Sequence, residues 1–209
     1  MKTKKFMYVV VAITVILVFG SVVSTEAAVM YSNIGPGNSF STSIAVRASG
    51  PQSTWGESDV AEMFIPIISD YIGSIGVGVL SGKSTYDTMQ MDLWVAADNG
   101  GLPGQILEAT SCTMSGYTRC VQTAAFSGST YLEAGTKYWI VMSASENNWF
   151  QWYASDPEVS GRIGYKTTGD WNAFDYYAGS SLRVNSIPEP ATILLLSIAG
   201  LLIRRKRNA

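Results

Sequence analysis

The stretch MQMDLWVAAD, residues 89–98, alternates strictly: Met89, Met91, Leu93 and Val95 fall on one side, Gln90, Asp92 and Trp94 on the other. Only an extended chain, whose successive side chains point to opposite faces, gathers that pattern into a single apolar surface. The same period recurs in YIGSIGVGVL (71–80), where Ile75, Val77 and Val79 oppose Ser74, Gly76 and Gly78. It recurs again in KYWIVMSA (137–144). Further extended segments are AEMFIPI (61–67), ILEAT (106–110), RCVQTAAF (119–126), WFQWYA (149–154), RIGYKT (162–167) and SLRVN (181–185). Between them stand the turn clusters SGKST, DNGGLPG, SGST, EAGT, TTGD and YAGSS. No amphipathic helix competes with these segments. The pattern predicts an all-β, antiparallel two-sheet sandwich, jelly-roll-like, with about eight to ten strands.

The sandwich is expected over residues 61–184, preceded by a strand-and-loop region (28–60) rich in Ser, Gly and Asn. Within that region SFSTSIAVRA (39–48) reads as an edge strand. Residues 28–187 hold seven Lys or Arg and 14 Asp or Glu, a balance of 7 − 14 = −7. So acidic a body lacks the Lys and Arg that neutralise phosphates, which excludes nucleic acid as a partner and argues against docking on an anionic membrane.

The two ends carry the basic charge. MKTKK, the apolar run Phe6–Phe19 and the small residues before Ala27 and Ala28 form a secretory signal, with cleavage expected after Ala27 or Ala28. That route passes through the Sec translocon and signal peptidase. Export places Cys112 and Cys120 in an oxidising compartment, where a disulfide is expected across the SCTMSGYTRC hairpin, whose Ser115-Gly116 marks a turn. At the other end Pro188-Glu189-Pro190 precedes the apolar run 191–203 and the cluster Arg204, Arg205, Lys206 and Arg207. As a helix the run spans roughly 20 Å, short of a hydrocarbon core of about 30 Å, and the basic cluster acts as a stop on the cytoplasmic side.

This triplet, short helix and basic cluster resemble the PEP-CTERM sorting signal of exported proteins of Gram-negative bacteria. The resemblance implies recognition by exosortase, an integral-membrane transpeptidase-like enzyme, then cutting near the triplet and delivery to the cell surface or extracellular matrix. It further implies an association with exopolysaccharide. The central region is similar to the choice-of-anchor R domain, on MQMDLWVAADNGGLPGQILEAT with its Gly101–Gly104 turn and on the Leu132–Trp139 stretch LEAGTKYW. That resemblance implies a β-rich surface domain and no particular chemistry.

The chain contains no histidine, which removes Ser-His-Asp and Cys-His catalysis and the usual zinc ligand sets. Paired carboxylates remain as a hydrolytic option. Asp156 with Glu158 and Asp170 with Asp175 are the pairs, and solvated loop charges account for them equally. No catalytic residue and no cofactor are therefore expected. Asp98 and Asn99 are a weak calcium candidate, since Asp and Asn before Gly are also what a turn requires. The late aromatics are more informative. Trp149, Trp152, Trp171 and Tyr176, interleaved with amides and carboxylates, suit the apolar faces and polar edges of sugar rings, and Trp171 in the polar loop TGDWNAFD (168–175) is the best surface candidate. The plainer reading of the same residues is strand-packing core. A non-enzymatic surface or matrix protein is thus expected, with a carbohydrate-binding module as the alternative and a glycoside hydrolase behind it.

Overall fold

The computed structural model describes residues 27–53, 56–81, 88–115, 119–146, 148–155 and 159–188. The N-terminal signal up to Glu26, Asp156 with Glu158, Glu189, Pro190, the apolar run and the basic cluster lie outside the described residues. Ala28–Ile187 form one compact unit.

The unit is a β-sandwich of two antiparallel sheets. The seven-stranded sheet joins β1 (Val29–Ser32), β13 (Leu182–Ser186), β4 (Asp70–Ser81), β10 (Trp149–Tyr153) and β2 (Ile44–Ser49) in that order, with β7 (Arg119–Ala125) and β8 (Tyr131–Leu132) on the other side of β4. The six-stranded sheet runs β12 (Asn172–Tyr176), β11 (Gly161–Lys166), β3 (Asp59–Phe64), β9 (Tyr138–Ala144), β5 (Thr88–Asp98), β6 (Pro103–Ser115).

The alternation read from the sequence fills the space between the sheets. Met89, Met91, Leu93 and Val95 of β5 meet Ile75, Val77 and Val79 of β4 in one core cluster, all fully buried. Each such side chain contributes about 1.5–3 kcal/mol by leaving water. The β5–β6 hairpin turns at Gly100 (φ 66°) and Gly101 (φ 87°), left-handed conformations that favour glycine. Asn99 N–H donates to Leu102 O across it at 2.8 Å. The turn thus precedes the expected Gly101–Gly104 stretch by two residues, and Pro103 opens β6, where its missing donor is tolerated.

Three expectations need correction. The N-terminal region is part of the sandwich, because β1 and β2 are strands of the seven-stranded sheet. Asn172–Tyr176, read as a polar loop, is the edge strand β12. Cys112 and Cys120 do not flank a hairpin: β6 pairs with β5 in one sheet and β7 with β4 in the other. Both cysteines are free thiols, half-buried against the core. Burial pushes the Cys112 thiol up to about 11, against a hydrogen bond from Gln122, and raises Cys120 as well. The segment between them crosses from sheet to sheet. Along that flank Thr110 Oγ1 donates to Ala125 O (2.8 Å), while the Glu108 carboxylate accepts Ser127 N–H (2.6 Å), Ser127 O–H (2.7 Å) and Thr130 N–H (3.1 Å).

Candidate functional site

The late aromatics do not form one platform. In β10, Phe150 and Trp152 point into the core, and Trp152 Nε1–H donates to Ser181 O at 2.8 Å. Trp152 is fully buried and is withdrawn as a ligand contact. Trp149, three residues earlier, lies half-buried on the opposite face of the strand with the Arg47 guanidinium 5.1 Å from its ring centroid.

Trp171 packs on the outer face of the six-stranded sheet. There Ala61, Ala96, Trp139 and Val141 make a second, smaller cluster, flanked by half-buried Met63, Trp94, Trp171 and Ala173. Trp139 is fully buried and its Nε1–H donates to Asp98 Oδ1 at 2.8 Å. Gly164 leaves the room for this packing: a Cβ there would stand 3.4 Å from both Trp139 and Trp171. An antiparallel sheet commonly leaves one face wet; this one covers much of both, and Trp171 serves packing more than display.

The exposed aromatics lie on the β11–β12 edge. Register pairs Ile163 with Phe174, Gly161 with Tyr176 and Tyr165 with Asn172, which puts Tyr165, Phe174 and Tyr176 on one face. Their rings form a row that continues into Tyr177, with centroids 6.0, 6.1 and 4.5 Å apart. Tyr165 is 40 % exposed, Phe174 41 % and Tyr177 62 %. This face also carries Val60 and Glu62 of β3, which are buried. The sheet therefore extends past the cover of its partner, and its inner face emerges there as a strip of rings. Neighbouring rings stand at 60° and 89° to one another, so the row presents faces and edges in turn rather than a flat plane.

Beneath the row lies a group that the aromatic pattern did not point to. Glu62 is fully buried. Its Oε2 accepts the Ser180 backbone N–H at 3.0 Å, while Oε1 and the Ser180 hydroxyl have no hydrogen-bond partner. Burial drives its carboxyl up to about 8, against the hydrogen bond from the Ser180 backbone N–H. The carboxyl fits because Gly161 and Gly179 have no side chains; a Cβ on either would collide with Oε1. Burial, and secondarily the Glu62 charge, also raises the Tyr31 hydroxyl, in part offset by a hydrogen bond with Asn33. Gly161 and Tyr31 line an adjacent cleft of about 410 Å³, with Phe64, Val159, Arg162 and Asp175. Alternation puts Glu62 on the face of Val60 and Phe64, without marking that face as the inward one.

Asp175 and Asp98 are each taken up by groups of the protein itself. Asp175 pairs with Arg162 at 2.9 Å. Asp98 Oδ2 accepts Gly101 N–H at 3.2 Å and Oδ1 is held by Trp139, so the calcium candidate spends both oxygens on protein donors, while Asn99 is exposed. No group of three or more metal-ligating side chains occurs among the described residues. Neither a protein-family model nor a curated protein matches the chain.

Proposed function

We propose that this chain is an exported, non-enzymatic β-sandwich of jelly-roll-like type, directed to the cell surface or matrix by its PEP-CTERM-like terminus and an exosortase-type membrane enzyme. The Cys-poor, histidine-free acidic body and its similarity to choice-of-anchor R domains agree with a structural or adhesive role beside exopolysaccharide. The observation that most supports the reading is where the fold stops. Ile187 N–H still donates to Tyr71 O at 3.0 Å, and Pro188 is exposed. The triplet therefore starts one residue beyond the last one tied into the sheet, which agrees with a sorting segment that the body does not need in order to fold.

Changing Pro188, Glu189 and Pro190 together to Ala is expected to leave the chain in the inner membrane with its C-terminal segment intact, read by fractionation and intact mass. Unchanged processing and location would remove the sorting reading.

The ring row favours the second reading, glycan binding. Tyrosine and phenylalanine faces stack on the C–H faces of sugars, and three hydroxyls with Asn172 supply polar contacts. The non-planar row suits a single flexible chain rather than a flat crystalline surface. In affinity electrophoresis, hydroxyethylcellulose (neutral) or alginate (acidic) should retard the native protein, and Phe174→Ala/Tyr176→Ala should abolish the retardation without lowering Tm. Equal mobility with and without both polymers argues for a purely structural body.

A further inference from the structure

The segment from Tyr177 to Ser181 carries the chain from β12 in the six-stranded sheet to β13 in the seven-stranded sheet. Buried polar groups fix it. Asn33 Nδ2–H donates to Ser180 O (2.9 Å) and Asn33 Oδ1 accepts Leu182 N–H (2.6 Å). Trp152 donates to Ser181 O, Ser181 N–H donates to Tyr153 O (2.7 Å), and Ser155 N–H donates to Gly179 O (2.8 Å). All of these hold the crossover to the seven-stranded side or its loops. On the six-stranded side Gly179 N–H donates to Val159 O (2.6 Å), just before β11, and Ser180 N–H donates to the Glu62 carboxyl, a tie that a proton can change.

We propose that Glu62 is a proton-dependent pin: in its neutral form it fastens the β12–β13 crossover to the six-stranded sheet, and on ionisation it releases the crossover and disorders the ring row that Tyr176 and Tyr177 terminate. The link to glycan binding rests on the second reading above; the pin itself does not. A buried carboxylate with one oxygen unpartnered is costly, and a neutral carboxylic acid has both fewer demands and a proton to donate. That proton has an acceptor at hand in the unpartnered Ser180 hydroxyl.

Among the described residues no cation pairs with Glu62. β9 presents Ile140 and Tyr138 on this face, and the Tyr138 hydroxyl is engaged by Glu133 N–H. β11 presents Ile163 and Gly161, and β1 presents Tyr31, whose own ionisation is opposed by the same charge. Arg162 and Asp175 alternate to the other face of β11 and β12 and pair with one another. Ionised Glu62 would hold the Ser180 N–H more strongly, but at full burial the cost of desolvating the charge outweighs that bond, and opening the crossover is what admits water to it.

Amide hydrogen exchange on the full chain tests the pin. After correction for intrinsic base catalysis, protection over residues 173–182 should fall about tenfold or more between pH 6 and pH 9, and Glu62→Gln should hold it within about twofold. An equal fall in Glu62→Gln, or none in the native protein, overturns the pin. Should Glu62→Gln fail to fold, the native chain decides alone: its infrared spectrum at pH 7 should contain a protonated-carboxyl band that disappears by pH 9, and a band absent at pH 7 refutes the proposal. With the pin established, hydroxyethylcellulose retardation that fades from pH 6 to pH 9 in the native protein alone extends it to the ring row; if retardation is absent at both values, the glycan reading fails and the pin stands.

Discussion

Glu62 makes stability depend on pH with a sign opposite to that of most carboxylates. Its folded value of about 8 stands above the ordinary 4.5, so between those values the folded state holds a proton that the unfolded chain has lost. The contribution is complete below about pH 4.5, declines as pH rises towards 8 and is flat above. Glu62→Gln keeps an acceptor for Ser180 N–H and cannot ionise. Its Tm is expected to exceed that of the native protein by several °C at pH 9 and to match it within about 2 °C at pH 4.5, read by differential scanning calorimetry. Parallel pH profiles for the two proteins would show that the carboxyl is already ionised at neutral pH. Alternation sets this residue on one face with Val60 and Phe64, but Ala61, Met63 and Ile65 make the opposite face as apolar, so the sequence did not single it out. What the sequence could not supply is the pocket, because Gly161 and Gly179 come to Glu62 from a strand and a crossover roughly a hundred residues away.

Among the elements, long alternating strands declared themselves and short or mixed ones did not. β4, β5 and β9 are buried as their patterns require. β12 was hidden because Asp170 and Asn172 are turn formers, and its partner β11 decides the matter by pairing with five consecutive residues, Asn172–Tyr176. The hairpin expected around Ser115-Gly116 failed for a related reason: a turn signal says that the chain bends, not in which sheet it resumes. On the β6–β7 flank Glu108 does the joining. Partial burial pushes its carboxyl up, yet hydrogen bonds from Ser127 and Thr130 prevail and hold it below the ordinary range. Its stabilisation is therefore present above the ordinary carboxylate value and lost as pH falls through the folded one. Glu108→Gln should lower Tm by about 2 °C at pH 7, and the deficit should shrink as acid protonates the carboxyl. A deficit independent of pH would assign the loss to altered packing.

For the whole molecule, the decisive pairing joins residues far apart in the chain: β1 lies against β13, with Tyr31 opposite Val184. β13 is also an interior strand, bonded to β4 on its other side. A chain ending at Ile187 should unfold in urea with the midpoint of the longer protein, since Ala28–Ile187 is the compact unit. A chain lacking 182–186 should show no cooperative transition by circular dichroism, because two strands lose their neighbour and Leu182 and Val184 leave the core. A cooperative melt from the shorter chain would mean that the seven-stranded sheet closes without its interior strand. Folding should be slow for the same reason, as non-local pairings close large loops before they gain contacts.

The position of β13 also sets a timetable. A chain threaded through a narrow passage from its N-terminus delivers β1 early and leaves it with nothing to pair. The strand it needs emerges more than a hundred residues later, immediately before the proline triplet. Until then the sheet is open, the body is compliant, and no finished sandwich can jam the passage behind it. On the export reading proposed above, completion of the fold and arrival of the triplet thus become nearly one event, because the body becomes able to close only as the triplet appears.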